Sequence, residues 1–87
     1  MKRYHFHTSD GRRTCDREGT LLSCDRTAKT EAIKFAGEIL RDDSQEIVER
    51  GTLLIEVGDD SNTLLFTLVV TVADTSNSGR TSSFSLC

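Results

Sequence analysis

The chain has 87 residues, of which 36% are hydrophobic and 29% are charged, and it contains no proline and no tryptophan. This composition is typical of one small globular domain, and it excludes fibrous and membrane-spanning classes. The net charge of -3 is unevenly distributed, because residues 1–29 carry seven Lys or Arg against four acids and residues 30–87 carry four against ten.

The first predicted element is a strand at residues 2–8, because polar and apolar residues alternate there. A half-buried strand directs its apolar side chains toward the core, and here these are Tyr4 and Phe6. The opposite face of the strand carries Arg3, His5 and His7.

A turn is predicted directly after this strand at residues 9–11, which read Ser-Asp-Gly. Asp caps its own backbone and Gly accepts a positive φ, so this segment favours a tight reversal of the chain. We expect a second strand to return through residues 12–16. A further bend is expected at Gly19, with a positive φ.

One amphipathic helix is predicted next, ending near residue 41. Its N-terminal cap is expected at Ser23, Cys24 or Asp25. The apolar residues that fall in one arc of the helical wheel predict the face that packs on the sheet, and they are Ala28, Ala32, Ile33, Phe35, Ala36, Ile39 and Leu40. Residues 42–51 are predicted to form the helix end and a connection.

Two further strands are predicted at residues 53–57 and 64–72, joined by turn-forming residues. The second strand outruns the first by about four residues, or roughly 13 Å at the rise of a strand. Its second face would leave Leu65 and Val69 in water, so these two residues are the candidates for self-association. Either the first hairpin or a second copy of the chain would cover them.

The resulting order, ββαββ, predicts an α+β fold in which one antiparallel sheet carries a single amphipathic helix on one face. Residues 1–72 are expected to form this domain. Residues 73–87 are rich in Ser and Thr and are predicted to be a flexible tail.

The cysteines and the N-terminal residues predict a protein of the reducing cytoplasm. No two of Cys15, Cys24 and Cys87 have the spacing of a zinc or redox motif, and an odd number disfavours a disulfide framework. No apolar run resembles a secretion signal or approaches the ~20 residues that span a bilayer. We therefore expect no membrane contact.

A metal site is one chemical possibility at the N-terminal hairpin. His5 and His7 place two imidazoles on one strand face, and a site would need a further ligand such as Cys15, Asp10 or Asp16. The alternative is that both histidines belong to a solvent-facing strand surface, and we expect no metal and no other cofactor. No nucleophile motif or glycine-rich phosphate loop occurs, so no catalytic residue and no enzymatic activity are predicted.

Nucleic-acid binding is the second possibility. Its candidate residues are Arg3, Arg12, Arg13 and Arg17. They would contact phosphates beside stacking aromatic rings, but Tyr4 and Phe6 lie on the face opposite Arg3 and are needed in the core. The chain is also acidic overall, whereas nucleic-acid-binding domains are usually basic.

The order and spacing of several short motifs indicate a family. The motifs are Arg3-Tyr4-His5-Phe6-His7, Asp10-Gly11, Asp16-Arg17-Glu18-Gly19 and a helix with Ala28 and Glu31-Ala32. Over about residues 2–72 they resemble a small bacterial family classed as a domain of unknown function, DUF6894, common in alphaproteobacteria. The chain departs from that pattern at Cys24, where Asp is common, and this shifts the expected cap to Ser23 or Asp25. The resemblance implies no activity.

Two hypotheses for function follow. The preferred one is a non-catalytic cytoplasmic interaction module that self-associates as a homodimer, with room for another protein partner. The alternative is a nucleic-acid-associated regulator that uses the basic N-terminal hairpin. It is suggested by a similar layout in antitoxin domains of the HicB type, which is an analogy of fold only.

Overall fold

A computed structural model describes residues 1–74, which form one antiparallel sheet of five strands with two helices packed on it. The α+β class is therefore confirmed. The predicted tail lies outside the described residues from position 75 onward, and so does Cys87. Neither helix of residues 1–74 has the length and apolar character needed to cross a membrane. In chain order the elements are β1 (Lys2–Ser9), β2 (Arg13–Thr14), β3 (Thr20–Leu22), α1 (Asp25–Asp42), α2 (Ser44–Arg50), β4 (Thr52–Asp59) and β5 (Leu64–Thr71).

The strand order is β2-β1-β4-β5, and β3 also pairs with β1. β2 pairs with the end of β1 at Thr8 and Ser9, whereas β3 pairs with its start at residues 2–4. The prediction of one strand through residues 12–16 is therefore wrong, because only Arg13–Thr14 of that segment are in a strand. Residues 15–19 form a loop that does not pair as a strand, so the return is divided into two short strands and the sheet has five strands instead of four.

The predicted connection at residues 42–51 is also wrong, because it contains α2. Asp43 breaks the helical path with φ -119° and ψ 35°, and Gly51 ends α2 in a left-handed conformation. Ile47 is the buried residue of α2 and packs in the core. A helix of seven residues with one buried side chain has almost no periodic signal, which explains why the pattern did not predict it.

The core lies between the helices and the centre of the sheet. Its largest fully buried side chains are Tyr4, Leu53, Ile55 and Val57. α1 meets them with Ala28, Ala32 and Ala36, whose small side chains let the helix lie close to the sheet. Ile33, which the helical wheel predicts on the same face, is 61% exposed, because it follows Ala32 by one residue and points about 100° away from it.

The start of α1 is tied to β1 through Asp25. The Tyr4 hydroxyl donates a hydrogen bond of 2.6 Å to Asp25 Oδ1, and this bond raises the pKa of Tyr4 to about 12. Lys2 Nζ lies 3.7 Å from the same oxygen. Cys24, not Ser23 or Asp25, occupies the N-cap position. The Asp25 carboxylate accepts the hydrogen bond from Tyr4, so it makes a tertiary contact and does not cap the helix.

β4 and β5 form a hairpin of two equal strands of eight residues. Their pairs run from Thr52 opposite Thr71 to Gly58 opposite Leu64. The predicted overhang of β5 is wrong, because β4 extends beyond residues 53–57 at both ends. Val57 faces Phe66 and Gly58 faces Leu64, so Leu65 is the extra residue of a β-bulge.

Candidate functional site

The loop between β2 and β3 contains a polar cluster around Asp16. Its carboxylate accepts hydrogen bonds from the backbone N–H groups of Phe6 (3.1 Å), Glu18 (3.2 Å) and Gly19 (3.0 Å). The Phe6 N–H lies between the parts of β1 that pair with β2 and β3, so the carboxylate replaces a strand partner there. Burial raises the pKa of Asp16, but these three donors outweigh it and hold the pKa below its usual value of 3.8.

Gly19 completes the same loop and has a φ of +74°, as expected from the sequence. A Cβ at this position would lie 2.7 Å from Arg3 Cγ, 2.9 Å from His5 Cε1 and 3.0 Å from the Tyr4 carbonyl oxygen. Only glycine combines this conformation with this close approach to β1. Asp16 and Gly19 therefore both have a structural reason to stand three residues apart.

His5 connects this loop to the turn between β4 and β5. Its Nδ1 lies 3.1 Å from the Asp16 carbonyl oxygen, and its Nε2 lies 2.8 Å from Asp60 Oδ1. Both partners only accept hydrogen bonds, so the two bonds exist together only when the ring is a doubly protonated imidazolium. The bond to Asp60 is the main cause that raises the pKa of His5 above 6.5, against the opposite effect of burial. Sequence reasoning missed Asp60, because no local signal links residues 55 positions apart.

His7 lies on the same face of β1, as predicted, with its ring nearly parallel to that of His5 and the centroids 6.3 Å apart. Its Nδ1 accepts a hydrogen bond of 3.0 Å from the Asp16 N–H. Residues 1–74 contain no group of three or more His, Cys, Asp or Glu side chains placed to hold a metal ion. Among residues 1–74, the structure therefore places no third ligand beside His5 and His7 for the metal site considered above.

The four candidate arginines lie in different surroundings. Arg3 donates to the Glu18 carbonyl oxygen at 2.8 Å, and Arg13 forms an ion pair of 2.7 Å with Glu56. Arg12 lines a cavity on the helix side of the sheet, whereas Arg13 lines one beside His7 on the other side. Arg17 is exposed on the loop. Arg12 and Arg13 are thus directed toward opposite faces, although they are neighbours in sequence.

Cys24 has an exposed thiol at the start of α1. Its Sγ lies 3.5 Å from the Thr27 hydroxyl, and this hydrogen bond is the largest cause that lowers the pKa of Cys24 to about 7. The Cys24 thiol is therefore more acidic than that of an ordinary cysteine.

A groove runs between α1 and the first edge of the sheet. It consists of two cavities of about 520 and 300 Å³ that share Thr8, Thr14 and Phe35 in their walls. The groove exists because β2 and β3 are short and leave Phe6 and Phe35 only half-covered beneath the helix. Cys15 and Asp16 of the loop line the larger cavity.

The outer edge of the sheet is β5, which pairs only with β4 among the described residues. Of the two candidate self-association residues, Val69 is 55% exposed, whereas Leu65 is half-buried and packs against the core. The bulge separates their environments, because it interrupts the alternation that would have placed both on one face.

Comparison with known proteins identifies the family. The model of the domain of unknown function DUF6894 matches residues 3–75. The chain belongs to this family. No curated protein and no solved structure matches it. The DUF6894 motifs in this chain have structural explanations, since Tyr4 holds Asp25, Asp16 replaces a strand partner and Gly19 allows the loop to approach β1.

Proposed function

We propose that this DUF6894 domain is a small non-catalytic interaction module that self-associates by pairing β5 with the β5 strand of a second copy. The observation that supports the proposal is that β5 is an unpaired edge of the sheet among residues 1–74. Within residues 1–74, the backbone N–H and C=O groups along the outer side of β5 have no strand beside them. Such an edge is a template for another strand.

β5 also lacks most of the features that usually protect a sheet edge. Residues 63–73 contain no charged residue, no glycine and no proline, and the bulge lies near the start of the strand. The opposite edge differs, because β2 and β3 have two and three residues and are surrounded by charged side chains. This contrast favours β5 as the edge that receives a partner.

Two copies of β5 would pair antiparallel across a two-fold axis, which makes the contact self-complementary. On the helix side, Phe66, Leu68 and Val70 are only half-buried, and a partner strand would cover them further. On the open side, Val69 lies opposite Leu54 of β4 and forms an apolar pair at the surface. The pairing therefore extends both the backbone ladder and two apolar surfaces.

Replacing Val69 with Lys is expected to weaken self-association at least tenfold, because a charged side chain on an edge strand opposes the addition of a second strand. Analytical ultracentrifugation over the micromolar range measures this. The matched control is Val48→Lys on α2, since Val48 is 69% exposed and outside the sheet, and it should leave the association unchanged. A wild-type chain that stays monomeric over this range, or equal effects of the two variants, would contradict the proposal.

A further inference from the structure

Two histidines contact the backbone of Asp16 with opposite requirements for a proton. The His5 Nδ1 must carry a proton to donate to the Asp16 carbonyl oxygen. The His7 Nδ1 must lack one, because it accepts from the Asp16 N–H. Since Asp60 also needs a donor on His5, the complete set of bonds exists with His5 charged and His7 neutral.

We propose that His5 and His7 form a proton-dependent clamp that closes the loop of residues 15–19 onto β1 only while His5 is charged and His7 is neutral. A proton on His7 Nδ1 removes the acceptor for the Asp16 N–H. Loss of a proton from His5 removes one of its two donated bonds. The loop supplies Cys15 and Asp16 to the larger cavity beside α1, so the clamp also sets one wall of the groove.

The charged groups around the two rings distinguish their environments. His5 faces the carboxylates of Asp60 and Asp16, and Arg3 beside it is bound to a loop carbonyl oxygen. His7 shares a cavity of about 240 Å³ with the side chains of Arg13, Glu56 and Cys15, and Arg13 and Glu56 are paired with each other. His5 therefore adjoins the carboxylates of Asp60 and Asp16, whereas the carboxylate near His7, that of Glu56, is paired with Arg13.

The direction of the alkaline effect follows from the raised pKa of His5. Stabilisation by the charged ring is complete below its unfolded pKa near 6.5 and is lost as the pH rises through the higher folded pKa. Asp60 is 67% exposed, so water screens part of this attraction. The loop should therefore open locally as the pH rises, without global unfolding.

Nuclear magnetic resonance of the imidazole nitrogens tests the clamp directly, because the chain has only two histidines. Just below pH 6.5, His5 should be doubly protonated. While the loop is closed, the His7 Nδ1 should carry no proton, because it accepts from the Asp16 N–H. As the pH rises through the His5 titration, protection of the Phe6 and Asp16 amides from hydrogen exchange should fall about two- to tenfold, the value of one hydrogen bond. Protection of the Ile55 amide in the central ladder should not change.

Two variants separate the clamp from a general effect of pH. In His5→Gln the alkaline loss of protection should disappear, because an amide does not titrate in this range. In Asp60→Asn the His5 titration should move to lower pH, while the Nε2 proton of His7 stays in place. A neutral His5 ring below pH 6.5, a proton on His7 Nδ1 while the Asp16 amide stays protected, or Phe6 and Asp16 amides that behave like Ile55 would overturn the proposal.

Discussion

Replacing Asp16 with Ala is expected to lower the free energy of unfolding by about 2–4 kcal/mol, because it removes the acceptor of three backbone N–H groups. The Phe6 N–H is the most costly to leave unpaired, since β2 and β3 do not reach it and the site is partly buried. For a domain of this size the melting temperature should fall by roughly 10–25 °C. Urea denaturation followed by circular dichroism measures the change.

The control for this prediction is Asp10→Ala in the turn after β1. The Asp10 carboxylate accepts a single long bond of 3.4 Å from the Arg12 N–H, so the loss should stay below about 0.5 kcal/mol. Asp16→Asn keeps one acceptor oxygen and should fall between the two. Equal stabilities of the Asp16→Ala and Asp10→Ala chains would mean that Asp16 does not hold the loop.

The stabilisation by Asp16 also depends on pH in a defined direction. Its folded pKa lies below the ordinary value of 3.8, so the unfolded chain binds the proton more readily. The contribution is therefore complete above the unfolded pKa and is lost as the pH falls through the folded pKa. The stability difference between wild type and Asp16→Asn should be constant above about pH 5 and should shrink below pH 3.8. A constant difference down to strong acid would argue against an ionised Asp16 in the fold.

Replacing Gly19 with Ala should also be strongly destabilising, by about 2–4 kcal/mol. The methyl group would stand in a left-handed conformation at φ +74°, and it would meet the backbone oxygen of Tyr4 at 3.0 Å. Arg3 can move its side chain aside, but the Tyr4 carbonyl belongs to the central sheet and cannot. Thermal and urea denaturation would measure the loss.

Gly37→Ala provides a matched comparison, because it is the same chemical change in the same chain. Gly37 lies within α1, and apart from its chain neighbours and the backbone of its own helix no described atom lies within 4 Å of the position its Cβ would take. No other described element approaches this position, and alanine should stabilise the helix by about 0.5–1 kcal/mol. If both substitutions had the same sign, the conformation assigned to Gly19 would be incorrect.

The contacts of Asp16, Gly19 and His5 give the family motifs of this chain a structural explanation. In many families, Asp or His residues gathered near a loop point to catalysis. Here the Asp16 carboxylate is occupied by three backbone donors, and both nitrogens of His5 are bound within the fold. The Asp-x-x-Gly motif of this DUF6894 domain is therefore explained by how the loop of residues 15–19 is held against β1.

Local patterns predicted several elements because their signals are local. The alternation around Tyr4 and Phe6 identified β1, and the repeat of apolar residues identified α1. The positive φ at Gly19 followed from its place at a bend. The same patterns missed α2 and the division of the returning strand, because neither a seven-residue helix nor a two-residue strand extends over enough residues to produce a period.

The sequence by itself determined the α+β class, the direction of the faces of β1 and the unprotected composition of β5, since these depend on the order of neighbouring residues. Only the tertiary structure decided that His5 meets Asp60 across 55 positions, that Asp16 binds the Phe6 N–H and that Leu65 is withdrawn by a bulge. The physical reason is that hydrogen bonds between distant segments depend on register and on the path of loops. These become fixed when the sheet and α1 pack together.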